Sequence, residues 1–326
     1  MCAMLHLPTV PQPLAAAWSN STFNLVRHYA PENFTDQFFF RSGSNDPSLG
    51  FVNYLGYRDA HETGLVGVVN NKFYVGVDFT TTLSVNASKG RNSVRLESKE
   101  SFNHGLLIAD IAHMPGDQCG VWSSLWTFNF EEEPYGEIDI IEGTNHQTTN
   151  SVSLHTCGKC SFSSNTTRMR TDCDMHADQD CEHGTNANGC GVRGRANSFG
   201  DAFNLAGGGV YALLLESSFI RVWHWQNGSV PSDVQSGRPD PSKWNVPTAD
   251  FDSANGGCEV AQHFRNQTIV IDIDFCGESI DQKTWESDTR CATQQYQSCT
   301  SFVAANPDAF SQAYWLFNSI KLYQSA

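Results

Sequence analysis

From residue 268 to residue 275 the chain alternates, with Ile269, Ile271, Ile273 and Phe275 on one side and Val270, Asp272 and Asp274 on the other. A period of two is what an extended strand presents to a core, so a half-buried strand is expected here. Similar short stretches lie at 72–79, 91–98, 104–113, 151–156, 219–225 and 319–323, separated by turn clusters such as Ser42-Gly43-Ser44-Asn45-Asp46-Pro47-Ser48 and Gly207-Gly208-Gly209. Strands do not alternate with long amphipathic helices, which argues against a Rossmann fold or a TIM barrel, and no period of about 20–50 residues repeats, which argues against solenoids and propellers. The one helix signal is brief: Asn306 as N-cap, Pro307 at the first helical position, then residues 308–313. What remains is an all-β fold, an antiparallel sandwich of many strands whose inner sheet is able to curve.

At 326 residues the chain admits one large β domain or two smaller ones. A disulfide-knotted second domain over 157–299 is the weaker choice, because the strands at 210–215 and 219–225 fall inside that region and need partners. The expected organisation is an N-terminal segment 1–19, followed by a single domain over 20–326. Trp223 and Trp225 are expected to pack in the sandwich.

Charge and cysteine content narrow the function. The net charge of −15 repels nucleic acid and anionic lipid alike. The apolar runs at 105–108 and 210–215 fall short of the roughly 18 residues that span a bilayer. Eleven cysteines and six Asn-x-Ser/Thr sequons, at Asn20, Asn33, Asn86, Asn165, Asn227 and Asn266, point to an oxidising compartment, hence a secreted or cell-wall protein. Residues 1–17 are a poor signal peptide, with no Lys or Arg and with Pro8, Pro11 and Pro13 interrupting the apolar stretch; a processed or misassigned start is expected. With Cys2 set aside, ten cysteines allow five disulfides whose pairing the spacing leaves open. Zinc held by Cys157, Cys160, Cys173, His176, Cys181, His183 and Cys190 is the less favoured reading.

The residues that speak of chemistry are Gly136-Glu137-Ile138-Asp139-Ile140-Ile141-Glu142-Gly143. Glu137 and Asp139 share a strand face, but Glu142, three residues further on, points to the other. A bulge at Ile140-Ile141 restores the parity and places all three acids together, with Ile138 and one of the other isoleucines in the core. Three adjacent carboxylates repel one another, which structure alone gives no reason to build. Glycoside cleavage gives one: it needs an ionised carboxylate and a protonated carboxyl on either side of the bond, and neighbouring charge keeps one of them protonated. A Ca²⁺ site and a plain solvated strand are the competing readings.

Trp122 and Trp126, four apart, can share one strand face and stack on sugar rings, although Trp122 is also a candidate for the core. The segment Ser151–Thr156 is placed to pair antiparallel with the acid strand, which would aim His155 at the carboxylates.

In this order, Gly120-Val121-Trp122, Trp126, the acid octapeptide and Leu154-His155-Thr156 resemble glycoside hydrolase family 16, more narrowly its fungal laminarinase-like endo-1,3(4)-β-glucanases. Supporting matches include Gly90-Arg91-Asn92-Ser93-Val94-Arg95, Phe275-Cys276-Gly277 and Ala313-Tyr314-Trp315, so the resemblance runs from about residue 20 to the C-terminus. It implies a concanavalin-like β-jelly-roll with a concave substrate cleft and retaining hydrolysis of internal β-glucosidic bonds. It further implies that Glu137 is the nucleophile, Glu142 the acid/base and Asp139 an assisting acid. His155 would assist as well, while Trp126, Arg95 and Trp122 contact substrate. Two tryptophans common in such enzymes are replaced, by Glu131-Glu132-Glu133-Pro134-Tyr135 and by Glu278-Ser279; Tyr135 would partly substitute as a substrate contact. The partner implied is a neutral β-glucan bound by a monomer. No cofactor or catalytic metal is required, and a structural Ca²⁺ is allowed. A transglycosylase sharing the same glycosyl-enzyme is the alternative; a non-catalytic lectin has no need to keep Glu137 and Glu142.

Overall fold

A computed structural model describes residues 22–44, 48–129, 134–162, 173–176, 188–253 and 257–325. Two large antiparallel sheets face each other. The first runs in spatial order Asn188–Arg193, Ser151–Thr156, Gly136–Thr144, Val121–Phe128, Gln267–Phe275, Arg95–Phe102 and Phe38–Arg41. The second runs Ala249–Asp252, Phe219–Gln226, Gly209–Leu215, Gly105–His113, Tyr314–Ser325, Lys72–Gly76 and Val66–Val69, with Phe23–Tyr29 also paired to Tyr314–Ser325. This is the antiparallel sandwich that the short alternating segments called for, in the jelly-roll form that the resemblance implied. No helix among the described residues is long and apolar enough to cross a membrane.

The inward faces meet in one core containing Leu96, Leu125, Ile138, Ile271 and Ile273 from the first sheet and Leu107, Leu213, Val222 and Phe317 from the second. Strands between Cys157 and Cys299 enter both sheets, so the cysteine-rich region is not a knotted unit of its own. Disulfides join Cys119 to Cys291, Cys160 to Cys258 and Cys276 to Cys299. Cys157 and Cys190 are disulfide-bonded as well, which removes three cysteines of the zinc reading; Cys181 and His183 lie outside the described residues.

Three local expectations change. Gln267–Phe275 is buried on both faces, because it is central and side chains of neighbouring strands cover Val270, Asp272 and Asp274. Asn306-Pro307 opens a 3-10 turn, Pro307–Phe310, rather than an α-helix. Trp223 and Trp225 do not point between the sheets. They lie on the outward face of the second sheet in a separate apolar cluster with Leu106, Ile108, Val210 and Leu214, and Val234 and Trp244 from the crossing segment 227–248 pack on it. Asn245 satisfies both indoles, its carbonyl accepting from Trp223 Nε1 at 2.8 Å and its Oδ1 from Trp225 Nε1 at 3.2 Å.

Candidate active site

Along Gly136–Thr144 the pairing with Val121–Phe128 steps from Asp139 opposite Trp126 to Ile141 opposite Leu125. Ile140 is therefore the extra residue of a β-bulge, where parity required one. Glu137, Asp139 and Glu142 consequently share the outward face of the first sheet. Ile138, Ile140 and Ile141 are all buried: the bulge places both of its isoleucines inside, not one.

Cross-strand register lays out the floor of the face. One row runs Glu142, Ser124, Asp272, Arg95, Arg41; a second runs Asp139, Trp126, Val270, Glu97, Phe39; a third runs Thr144, Trp122, Asp274. On the other flank Glu137 pairs with His155, and His155 with Gly189. A Cβ on Gly189 would stand 2.3 Å from His155 Cε1, so only glycine there lets the imidazole lie across the edge strand.

The carboxylates have distinct partners. Trp122 Nε1 donates to Glu142 Oε1 at 2.9 Å. The Tyr135 hydroxyl donates to Glu137 Oε2. His155 Nε2 stands 3.4 Å from Asp139 Oδ2, at ion-pair distance, yet that oxygen is buried and has no hydrogen bond among the described residues. Burial, then the charges of Glu137 and Glu142, pushes the Asp139 carboxyl well above the usual carboxylate range. Burial also raises Glu142; the Trp122 hydrogen bond partly offsets it and the charge of Glu137 adds to it. Burial lowers His155, but Asp139, Glu137 and Glu142 together outweigh it and lift the imidazole to about 9. All three shifts are upward and so favour the protonated forms, the direction that one half of an acid–base pair requires.

The residues expected from sequence converge, with two changes of role. Trp122 does both jobs: half-buried, it packs against the core cluster and turns its N–H to Glu142 on the outward face. Tyr135 does not offer a stacking ring: it is 8% exposed, packed with Phe128, Cys157 and Val270, and burial and the Glu137 charge hold its phenol protonated. Arg95 lies with its guanidinium 4.9 Å from the Trp126 ring centre, its Nε donating to Glu97 at 3.0 Å. Trp126 Nε1 donates to Asp272 Oδ2 at 3.2 Å, so Arg95, Glu97 and Asp272 hold that indole upright.

Glu97, Asp272 and Asp274 escaped the sequence reading, since polar residues on the second face of an alternating strand look solvated; here they are only 5%, 6% and 5% exposed. Glu131, Glu132 and Glu133 lie outside the described residues. At Glu278–Ile280, where a tryptophan was missing, a depression of about 300 Å³ opens between Leu49, Gly277, Gln282 and Thr300. Two groupings among the described residues bring metal-type donors together. Cys119, His146 and Cys291 are disqualified by the Cys119–Cys291 disulfide. Glu137, Asp139 and His155 would have to give up the imidazole proton to bind an ion.

Residues 38–323 match the family of XgeA-like catalytic domains of glycoside hydrolase family 16, and the chain belongs to that family. It is 39% identical over 311 residues, 94% of its length, to a probable endo-1,3(4)-β-glucanase of Aspergillus fumigatus, covering 46% of that protein; it thus spans about half the length of such curated relatives. Among solved structures, an elongating family 16 β-1,3-glucosyltransferase superposes with a TM-score of 0.83 at 37% identity, covering 93% of this chain and 100% of the other. Laminarinase 16A from Phanerochaete chrysosporium, holding 6-O-glucosyl-laminaritriose in its donor and acceptor sites, gives 0.82 at 34% identity over 93% and 100% of the two chains.

Proposed function

We propose that this chain is an endo-acting glucanase that hydrolyses internal β-1,3 or mixed β-1,3-1,4 glucosidic bonds with retention. The observation that carries this reading is the bulge that sets Glu137 and Glu142 on one open face. Glu137 attacks the anomeric carbon while Glu142 gives its proton to the departing glucosidic oxygen, leaving a glycosyl-enzyme ester. Glu142, now ionised, takes a proton from water as that oxygen attacks the same carbon and displaces Glu137. Asp139, its carboxyl held well above the usual carboxylate range, and the raised imidazole of His155 beside it limit the repulsion that two carboxylates would otherwise exert. Trp126, braced by Arg95, and Trp122 form the apolar floor on which glucose rings rest.

A neutral glucan suits a chain of net charge −15, and the chemistry uses no cofactor. The disulfides support secretion or a cell-wall location, where a monomer would meet the polymer. The similarity to a glucosyltransferase favours one second reading, in which a sugar hydroxyl replaces water as acceptor. Incubation with a β-1,3-linked glucose hexamer in ¹⁸O-water, followed by mass spectrometry, separates the two: only shorter oligomers with label at the new reducing end mark the hydrolase. Longer oligomers mark the transferase, and a hexamer and mixed-linked glucan both left intact refute the enzyme.

A further inference from the structure

A bulge frees backbone groups that a regular ladder would pair, and something must satisfy them when they are buried. At this bulge one side chain does so. Asn150 Nδ2 donates to the Ile140 carbonyl at 2.8 Å, and Asn150 Oδ1 accepts from the Glu142 N–H at 2.9 Å. The amide thus bridges the extra residue and the acid whose direction that residue sets. Asn150 is completely buried and is itself fixed: its N–H donates to Ser198 Oγ at 2.8 Å and its carbonyl accepts from Gly194 N at 2.7 Å. A Cβ on Gly194 would lie 3.3 Å from Asn150 Cβ and 2.7 Å from Ser198 Oγ, so this cradle fits closely. Glu137, by contrast, sits on the regular part of the strand, where its neighbours pair in normal register.

We propose that Asn150 is the positioning residue of the acid/base: through the backbone of the bulge it fixes where the Glu142 carboxyl stands, while leaving the nucleophile untouched. The proposal rests on the glucanase reading. Without the clamp the bulge has no buried partner for its carbonyl, and a one-residue slip toward a regular ladder would turn Glu142 to the opposite face. Glycosyl transfer to Glu137 from a substrate with a good leaving group needs no proton, so it survives loss of the clamp.

The test uses Asn150→Ala and the near-isosteric Asn150→Leu, which can neither donate to Ile140 nor accept from Glu142, alongside Glu142→Ala as reference. Each is assayed on the glucose hexamer and on a 2,4-dinitrophenyl β-laminaribioside. In both Asn150 variants we expect kcat on the hexamer to fall about 100-fold, the scale of lost general acid catalysis, with KM near that of the wild type. The first equivalent of dinitrophenolate should appear within about threefold of the wild-type rate, and azide should accelerate later turnovers, the response also expected of Glu142→Ala. Equal losses on both substrates, or full activity on the hexamer, overturn the proposal. So does a crystal structure of either variant in which Glu142 still accepts from Trp122 Nε1. A wild-type protein that cleaves neither substrate refutes the glucanase reading instead, and the crystal structure alone then decides the role of Asn150.

Discussion

The two sheets share an apolar core and differ on the faces they turn away from it. The outward face of the second sheet is a dry patch in which Trp223 and Trp225 give their N–H groups to Asn245, and Trp244 gives its own to Asp233 at 2.7 Å. The outward face of the first sheet has indoles too, but Trp122 and Trp126 donate to the carboxylates Glu142 and Asp272, and charged groups lie buried in rows. The same side chain thus seals a cluster on one face and tunes an acid on the other. Buried, mutually repelling acids weaken a fold, so the first sheet gives up stability that the second does not, and the site is where it does so.

Four substitutions sharpen this contrast. Glu137→Gln should lower kcat on β-1,3-glucan by about 10,000-fold, as loss of a nucleophile does. Its melting temperature should hold or rise, since the charge that makes ionising the buried Asp139 and Glu142 carboxyls costly has gone; a clear fall in thermal unfolding would contradict the account. Trp223→Ala should do the converse, costing about 3–5 kcal/mol in denaturant unfolding with kcat unchanged below the melting range.

Smaller effects come from His155. Gly189→Ala adds a methyl against the imidazole; strain of about 1–3 kcal/mol should push the ring from Asp139 and reduce kcat about tenfold, visible in kinetics and in a crystal structure. His155→Gln tests linkage. The folded imidazole keeps its proton to about 9, whereas an unfolded one releases it near ~6.5. The folded state therefore binds the extra proton in that window, and its stabilisation is complete below the window and lost as pH rises through it. In the variant, urea unfolding midpoints between those pH values should fall less steeply than in the wild type.

Much of the acid strand was legible because parity is local: acids at 137, 139 and 142 demand an extra residue if they are to share a face. The register of His155 followed from strand adjacency. What sequence hid depends on distant partners. Asn150 looks like an ordinary turn residue until Ile140 and Glu142 are beside it. Asp272 and Asp274 read as solvated until flanking strands cover them. Trp223 and Trp225 alternate correctly but do not reveal which face is inward, and disulfides closing 172 and 98 residues leave no trace in spacing.

Strand 314–325 sits in the middle of the second sheet, bonded on one side to Gly105–His113 and on the other to Lys72–Gly76 and then Phe23–Tyr29. During synthesis, those three strands emerge long before the one that joins them and must wait with open edges, the state most prone to pair with other chains. The second sheet can close only after residues 314–325 have left the ribosome. Yield in a foreign host should therefore depend on chaperone supply and on an oxidising folding compartment more than on the final stability of the fold.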